Sequence, residues 1–332
     1  PVDLFYNGGI GTYIKASSQA NADAGDRATD ALRINGKQLR CKAVVEGGNL
    51  GCTQLGRIEY ALGGGRINTD AIDNSAGVDC SDHEVNIKIL LGIVEADGEL
   101  TEKQRNQLLA EMTDEVAALV LADNYYQTQS IAVSGARGGK LLDAKASLMR
   151  YLEKMGRLNR GVEFLPSDEQ IAERRTAGIG LTSPERAVLL AYSKMVLFDQ
   201  LVASDLVDDA YFGSVLIDYF PKALQQRYAG VMPRHPLKRE IVATMLANVM
   251  INHVGSVFVH RMQEETGAAP HEVVRAYTLV RDIFGLPRLW EEIEALDGKI
   301  SAQVQNDMLI DVGRLLLRAV LWFLRRRQVK LE

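Results

Sequence analysis

Beyond residue 100 the chain carries no stretch that reads as a β-strand, and that asymmetry limits the folds open to it. Apolar residues there recur at three-and-four spacing, predicting helices over 141–159, 168–177, 184–203, 210–219, 236–266, 270–284, 287–296 and 300–327. Before residue 100 the punctuation is α/β. Asp3–Tyr6 and Leu39–Glu46 read as strands, and Leu55, Ile58 and Leu62 give the stripe of a helix stopped by Gly63-Gly64-Gly65. Arg66–Thr69 reads as a further short strand, and Ala16–Asn35 as one or two polar helices. The expected architecture is an α/β piece over residues 1–100 followed by a mainly α-helical region over 101–332.

Two polar turns stand out in the α/β part. The run Ala43-Val44-Val45 ends in Glu46-Gly47-Gly48-Asn49, and a second turn, Asn74-Ser75-Ala76-Gly77, follows about 25 residues later. Glycines at a strand's end let backbone approach a flat ligand, and asparagines beside them can hydrogen-bond an amide or a ribose. Asn7-Gly8-Gly9-Ile10-Gly11 has the same character, although its spacing is not the phosphate-binding fingerprint.

Helix-start signals place several residues. Ser81-Asp82-His83-Glu84 matches a capping box, which predicts a helix starting at Ser81, and Thr101-x-x-Gln104 matches another, opening a helix with the stripe Leu108, Leu109, Met112, Val116, Leu119 and Val120. Ser81 then has two readings: a cap alone, or a hydroxyl presented beside free N–H groups where a carboxylate can sit. Ser130–Gly139 reads as a linker. Asp70, Asp73, Asp79, Cys80, Asp82, His83 and Glu84 lack the His or Cys spacing of a metal site, so no metal is expected. Asn248, Asn252, His253 and Ser256 share one face of the helix expected over 236–266, as a polar seam between helices, a subunit contact or a site.

Composition narrows the function classes. Hydrophobic residues make up 47% and charged residues 24%, as in a globular chain with real cores, and the net charge of -5 offers no footprint for nucleic acid. The one dense basic run is Arg325-Arg326-Arg327 with Lys330, as at a solvated helix end. No apolar run reaches the roughly 20 residues of a membrane span. Cys41, Cys52 and Cys80 suit reduced thiols and a cytoplasmic location. The start at Pro1 without Met and the Leu331-Glu332 end lead us to expect a piece cut from a longer protein.

The phrases YNGGIGTYIKAS, EGGNLGCTQLGRIEYA, GGRINTDAIDNSAGVDCSDHEVNIKILL and GLTSPERAVLLAYSK resemble the large NAD-specific glutamate dehydrogenases of bacteria, within the amino-acid dehydrogenase superfamily. The resemblance implies a partial Rossmann-like nucleotide-binding domain, NAD as cofactor, oxidative deamination of L-glutamate to 2-oxoglutarate and ammonia, and a homo-oligomer. Asn49 then matches an asparagine near the nicotinamide ribose, with Glu46, Gly47 and Gly48 forming its turn and Asn7, Gly8 and Gly9 a neighbouring cofactor-side loop. Asn74 matches an asparagine near the nicotinamide amide and the reacting carbon. Ser81 matches the serine that bonds the side-chain carboxylate of glutamate.

Two departures qualify the match. Gly48 stands for the usual alanine, and Ser75-Ala76 for Ala-Gly. The family's catalytic lysine and aspartate and its G-x-G-x-x-G turn have no counterpart here and are expected upstream of Pro1, so the isolated chain is expected to turn nothing over. The rival readings are a non-catalytic assembly module and a dehydrogenase of another amino acid.

Overall fold

The computed structural model describes residues 2–326; Pro1, Arg327, Lys330 and the Leu331-Glu332 end lie outside them. Four strands open the chain: β1 (Val2–Asn7), β2 (Ile14–Lys15), β3 (Ile34–Asn35) and β4 (Cys41–Glu46). They form two separate parallel pairs, β1 with β4 and β2 with β3. Parallel pairing needs a long connection between partners. Residues 8–40 supply it, not with the expected helices but with short 3-10 turns, among them Asn21–Ala24 and Arg27–Thr29. Arg66–Thr69 is likewise no strand; it contributes a single bridge from Arg66 to Ala43.

The helices follow: α1 (Gln54–Leu62), α2 (Asp70–Asp73), α3 (Ala76–Ala96), α4 (Glu102–Glu111), α5 (Thr113–Ala136), α6 (Leu142–Lys154), α7 (Asp168–Thr176) and α8 (Ser183–Val202). Then come α9 (Gly213–Tyr219), α10 (Lys222–Tyr228), α11 (Lys238–Val254), α12 (Phe258–Thr266), α13 (Pro270–Ile283), α14 (Leu286–Glu294) and α15 (Ala302–Arg326). The mainly helical expectation holds, with 68% of the chain helical. The expected α/β piece is smaller than a nucleotide-binding sheet, since its core is only Ile14, Val44, Cys52, Tyr60 and Ile67. The large core belongs to the helices, and α1, α2 and α3 reach it by packing on α5 and α8.

Local rules account for most helix starts. Thr53 accepts from the Gly56 N–H at 3.0 Å, Thr101 and Gln104 form a reciprocal cap, and ahead of Pro184 the Glu185 carboxylate accepts from the Thr182 N–H at 2.6 Å. Four further expectations need correction. Helix α3 begins at Ala76, five residues before Ser81, where Asn124 of α5 holds the Ile72 carbonyl (2.6 Å) and Ser75 Oγ (3.1 Å) and so fixes the turn that opens it. The stripe from Leu108 to Val120 is split between α4 and α5 at Met112, which is buried. The Ser130–Gly139 stretch is helix through Ala136. Its small residues serve close packing: Ser130 Oγ donates to the Ile251 carbonyl (3.4 Å), and a Cβ on Gly135 would sit 2.7 Å from the Arg186 guanidinium.

The fourth correction concerns residues 236–266, which are not one helix. At Gly255 the backbone has φ +80° and ψ 169°, a conformation open almost only to glycine, and α12 leaves α11 at 88°. Among the described residues no single helix is long and apolar enough to cross a membrane. Replacing Gly255 with Ala should cost about 1–3 kcal/mol, read from the urea midpoint, because the strain follows from φ and ψ and not from a clash.

Candidate functional site at the paired polar turns

The site is built at the C-terminal ends of β1 and β4. Their register sets Asn7 beside Glu46, and the Gly47 N–H donates to the Asn7 carbonyl at 2.9 Å. The turns that follow, Gly8-Gly9 and Gly47-Gly48, therefore touch. A Cβ on Gly47 would lie 2.2 Å from Tyr6 Oη, and one on Gly48 would lie 2.6 Å from the Gly9 carbonyl oxygen. Glycine is required at Gly48 by its contact with the Gly9 backbone, and at Gly47 a side chain would have to displace the Tyr6 ring. Asn7 is buried, and its Nδ2 finds no partner among the described residues.

The second turn is held by charge. Glu46 is fully buried and accepts from Arg57 Nε (2.7 Å), Arg57 Nη2 (2.9 Å) and the Cys52 N–H (2.9 Å). Arg57, 4% exposed, also reaches Asp70 at 3.1 Å. The two acids of α2 then bind main chain: Asp73 accepts from the Glu46 N–H (3.0 Å) and Asp70 from the Leu50 N–H (2.8 Å). Burial holds the Asp73 carboxyl above the usual carboxylate range. The expectation of a cofactor contact from Glu46 meets this geometry: its carboxylate faces inward and braces the turn.

Asn49 and Asn74 are brought together directly. Asn74 Nδ2 donates to Asn49 Oδ1 at 2.9 Å, so the two polar turns form one surface. Ser81 stands about a turn and a half along α3, exposed on a face it shares with Gly77, Val78, Glu84 and Val85. It caps nothing; Glu84 pairs instead with Lys88. The N-terminus of α3 carries no side-chain cap, which leaves its first N–H groups free for a negatively charged partner.

Sequence reading missed the residues that support this surface from below. Asn124 fixes the loop before α3, and its neighbour Asp123 meets the opposite face of the same helix, where Asp79 and His83 stand. Ligand-type atoms of Asp79, His83 and Asp123 all lie within 4.8 Å of one another, a set that could hold a metal ion. His83 stacks on Tyr219 with ring centroids 4.8 Å apart, and Tyr219 donates to Asp82 at 2.8 Å. The one signal available in sequence was the polar pair Asp123-Asn124 directly after the apolar run from Val116 to Ala122.

Asp79 and Asp123 approach one another on this face, and burial, followed by the charge of Asp82, holds the Asp79 carboxyl above its ordinary value. Burial, and then the charge of Asp79, pushes Asp123 up to about 6. Burial pushes Lys194 of α8 down to about 8, against the opposing pull of Asp123 and Asp79. Because Asp123 is higher in the folded chain than its ordinary 3.8, it favours folding while protonated, and that contribution is lost as pH rises from 3.8 through about 6. Lys194, lower than its ordinary 10.5, has the converse effect, with stability regained as pH rises above about 8. Asp123→Asn should therefore flatten the fall in stability between pH 4 and 6, measured by denaturant midpoints across that range. A separate test addresses the clamp: Arg57→Met leaves Glu46 buried and uncompensated and should cost about 3–5 kcal/mol in chemical denaturation.

Comparison with known proteins bears on this arrangement. Residues 1–134 match the model of the bacterial NAD-glutamate dehydrogenase catalytic domain, and residues 178–332 match that of the glutamate dehydrogenase C-terminal family. The NAD-specific glutamate dehydrogenase of Halomonas elongata is 52% identical over 326 residues, covering 98% of this chain and 20% of that protein. Those of Pseudomonas aeruginosa (51% over 332 residues) and Mycobacterium tuberculosis (48% over 327) cover 100% and 98% of this chain, and again 20% of each relative. The chain thus spans about a fifth of the length of the relatives it matches. With two models of the same enzyme family accounting for both its α/β part and its last helices, the chain belongs to the bacterial NAD-specific glutamate dehydrogenases.

Proposed function

We propose that this chain forms the nicotinamide-facing wall and part of the amino-acid pocket of an NAD-dependent glutamate dehydrogenase, an enzyme that converts L-glutamate to 2-oxoglutarate and ammonia. The observation that carries the reading is the 2.9 Å hydrogen bond between Asn49 and Asn74, which joins two turns distant in sequence into one polar surface at the start of α3. The relatives' names support NAD as the cofactor and glutamate as the substrate.

The residues present fit a flat, amide-bearing ring. The glycine turns expose main chain at the strand ends, and the unpartnered Asn7 Nδ2 lies behind them. NAD, when bound, supplies the hydride acceptor. The chain's own groups orient and bind. Asn49 and Asn74 offer amide donors and acceptors at the ring, and Ser81 offers its hydroxyl, beside the free N–H groups of α3, to the substrate's distal carboxylate. Asn124 and the Arg57 clamp keep these groups in place.

The finer fold reading belongs here as well. Val2, Leu4 and Tyr6 alternate on one face of β1 and are 63%, 54% and 63% exposed, whereas parallel sheets are ordinarily covered on both faces. That supports residues 1–100 as half of a larger Rossmann-like sheet, with 101–332 as the helical region that braces it and builds a homo-oligomer.

Initial-rate kinetics on the full-length protein test the proposal. Ser81→Val should raise the glutamate KM about tenfold or more, the worth of one hydrogen bond to a charged group, and leave the NAD KM alone. Asn49→Ala should instead raise the NAD KM about fivefold. Unchanged glutamate kinetics in the first variant would remove the substrate role of Ser81, and unchanged NAD kinetics in the second would remove the cofactor role of the turn.

A further inference from the structure

Behind the Gly255 break lies a cavity that the dehydrogenase reading does not use. It opens between α5, α6, α11, α12, α14 and α15 and has a volume of about 70 Å3, against the roughly 10–15 Å3 that one water needs. There is room for several waters or one tetrahedral oxyanion. The polar face singled out in the sequence ends here: Asn252, His253 and Ser256 all line the cavity. His253 stacks on Trp290 with centroids 3.7 Å apart, closing one side.

Charge is the cavity's unusual property. Its lining holds Lys145, Arg137 and Arg261 and no Asp or Glu. Lys145 is only 2% exposed, yet among the described residues it makes no hydrogen bond and no ion pair. Arg137, at the end of α5, is likewise without a carboxylate, and it stands near Arg261 and Arg314. The acids close by are engaged elsewhere: Glu185 with Arg174 and the Thr182 N–H, Glu265 with Arg261, and Asp311 with Arg314. A buried ammonium without a counter-charge is costly, and chains avoid it unless something supplies the missing charge.

The second feature is backbone. Helix α12 starts at the cavity wall with Val257 as its first flanking residue and no side-chain cap, so its positive dipole end lies at the same space, with the Phe258 N–H taken by the Gly255 carbonyl at 3.4 Å. Asn252, 7% exposed, leaves its Oδ1 without a donor.

From these features we infer that the cavity at the α11–α12 break is a binding site for a small oxyanion, a phosphate or a carboxylate, held by Lys145, Arg137 and the N-terminus of α12. The electrostatics of the empty site agree. Burial, and then the nearby Arg186 and Arg137, push Lys145 down to about 7, so an anion would restore a charge that the fold alone disfavours. The Asn252 oxygen would accept from the hydroxyl of hydrogen phosphate, which favours phosphate over a bare carboxylate. A ligand seated here lies among the six helices that line the cavity, so its occupancy would stiffen the junction of α11 and α12 with α5 and α15.

Isothermal titration calorimetry on the full-length protein tests this, with inorganic phosphate and acetate as separate probes in chloride buffer of matched ionic strength. Saturable binding of phosphate, of acetate or of both is expected, and the two arms identify the class of oxyanion. Lys145→Met should weaken binding about tenfold or more while raising the anion-free melting temperature, since it removes a buried unpaired charge. Arg137→Gln, at a half-exposed position, should weaken binding without loss of folding and serves if the first variant does not fold. Absence of saturable binding for both probes would overturn the inference, as would equal affinity in the parent and both variants. Glutamate turnover is not the readout, so the result stands apart from that of the dehydrogenase proposal.

Discussion

The Glu46–Arg57 pair is the interaction on which the α/β part depends. A core of five buried residues cannot by itself hold two glycine turns in contact, because glycines contribute no side-chain burial and lose much backbone freedom on folding. Arg57 solves this by joining three segments. Its guanidinium meets Glu46 at the end of β4 and Asp70 at the start of α2, and it rises from α1 between them. With both partners out of water, each charge is tolerable only because the other is present. The arrangement is rigid for the same reason.

Around that pair, carboxylates hold main chain instead of ligands. Asp70 and Asp73 take the Leu50 and Glu46 N–H groups, and Thr12 donates to the Leu50 carbonyl at 2.7 Å, fixing Leu50 at a left-handed φ of 59°. The side chains left facing outward are those of Asn49, Asn74 and Ser81. Support then passes to the helices: Asn124 ties the loop to α5, and Arg186 of α8 donates to the Ile131 carbonyl of the same helix at 3.1 Å. The helical region is thereby both the main core and the platform that sets the position of the polar turns.

Much of this was legible in the residues. The two strands, the helix after Thr53, the caps at Thr101 and Thr182 and the glycine turns follow from local chemistry, because a cap or a tight turn is decided within a few residues. The start of α3 was misread because Ser-x-x-Glu occurs as readily inside a helix as at its end, and the deciding contact comes from Asn124, some fifty residues away. The linker expected at Ser130–Gly139 failed for a related reason: small residues permit a close helix crossing as well as a loop, and only the Arg186 guanidinium against Gly135 tells which. Lys194 and Lys145 carried no signal in sequence, and Asp123 only its place beside Asn124, because their chemistry arises from what other helices place beside them.

The sequence by itself determined the kinds of element, the family resemblance and the polar turns, since these depend on short-range dihedral preferences and on residue identity. Tertiary structure decided which turns meet, which acid stays buried beside Arg57, where α11 breaks, and that Lys145 and Arg137 share a cavity whose lining holds no carboxylate. Those outcomes depend on distances between segments far apart in the chain, and burial and electrostatics are properties of that arrangement, not of any one stretch.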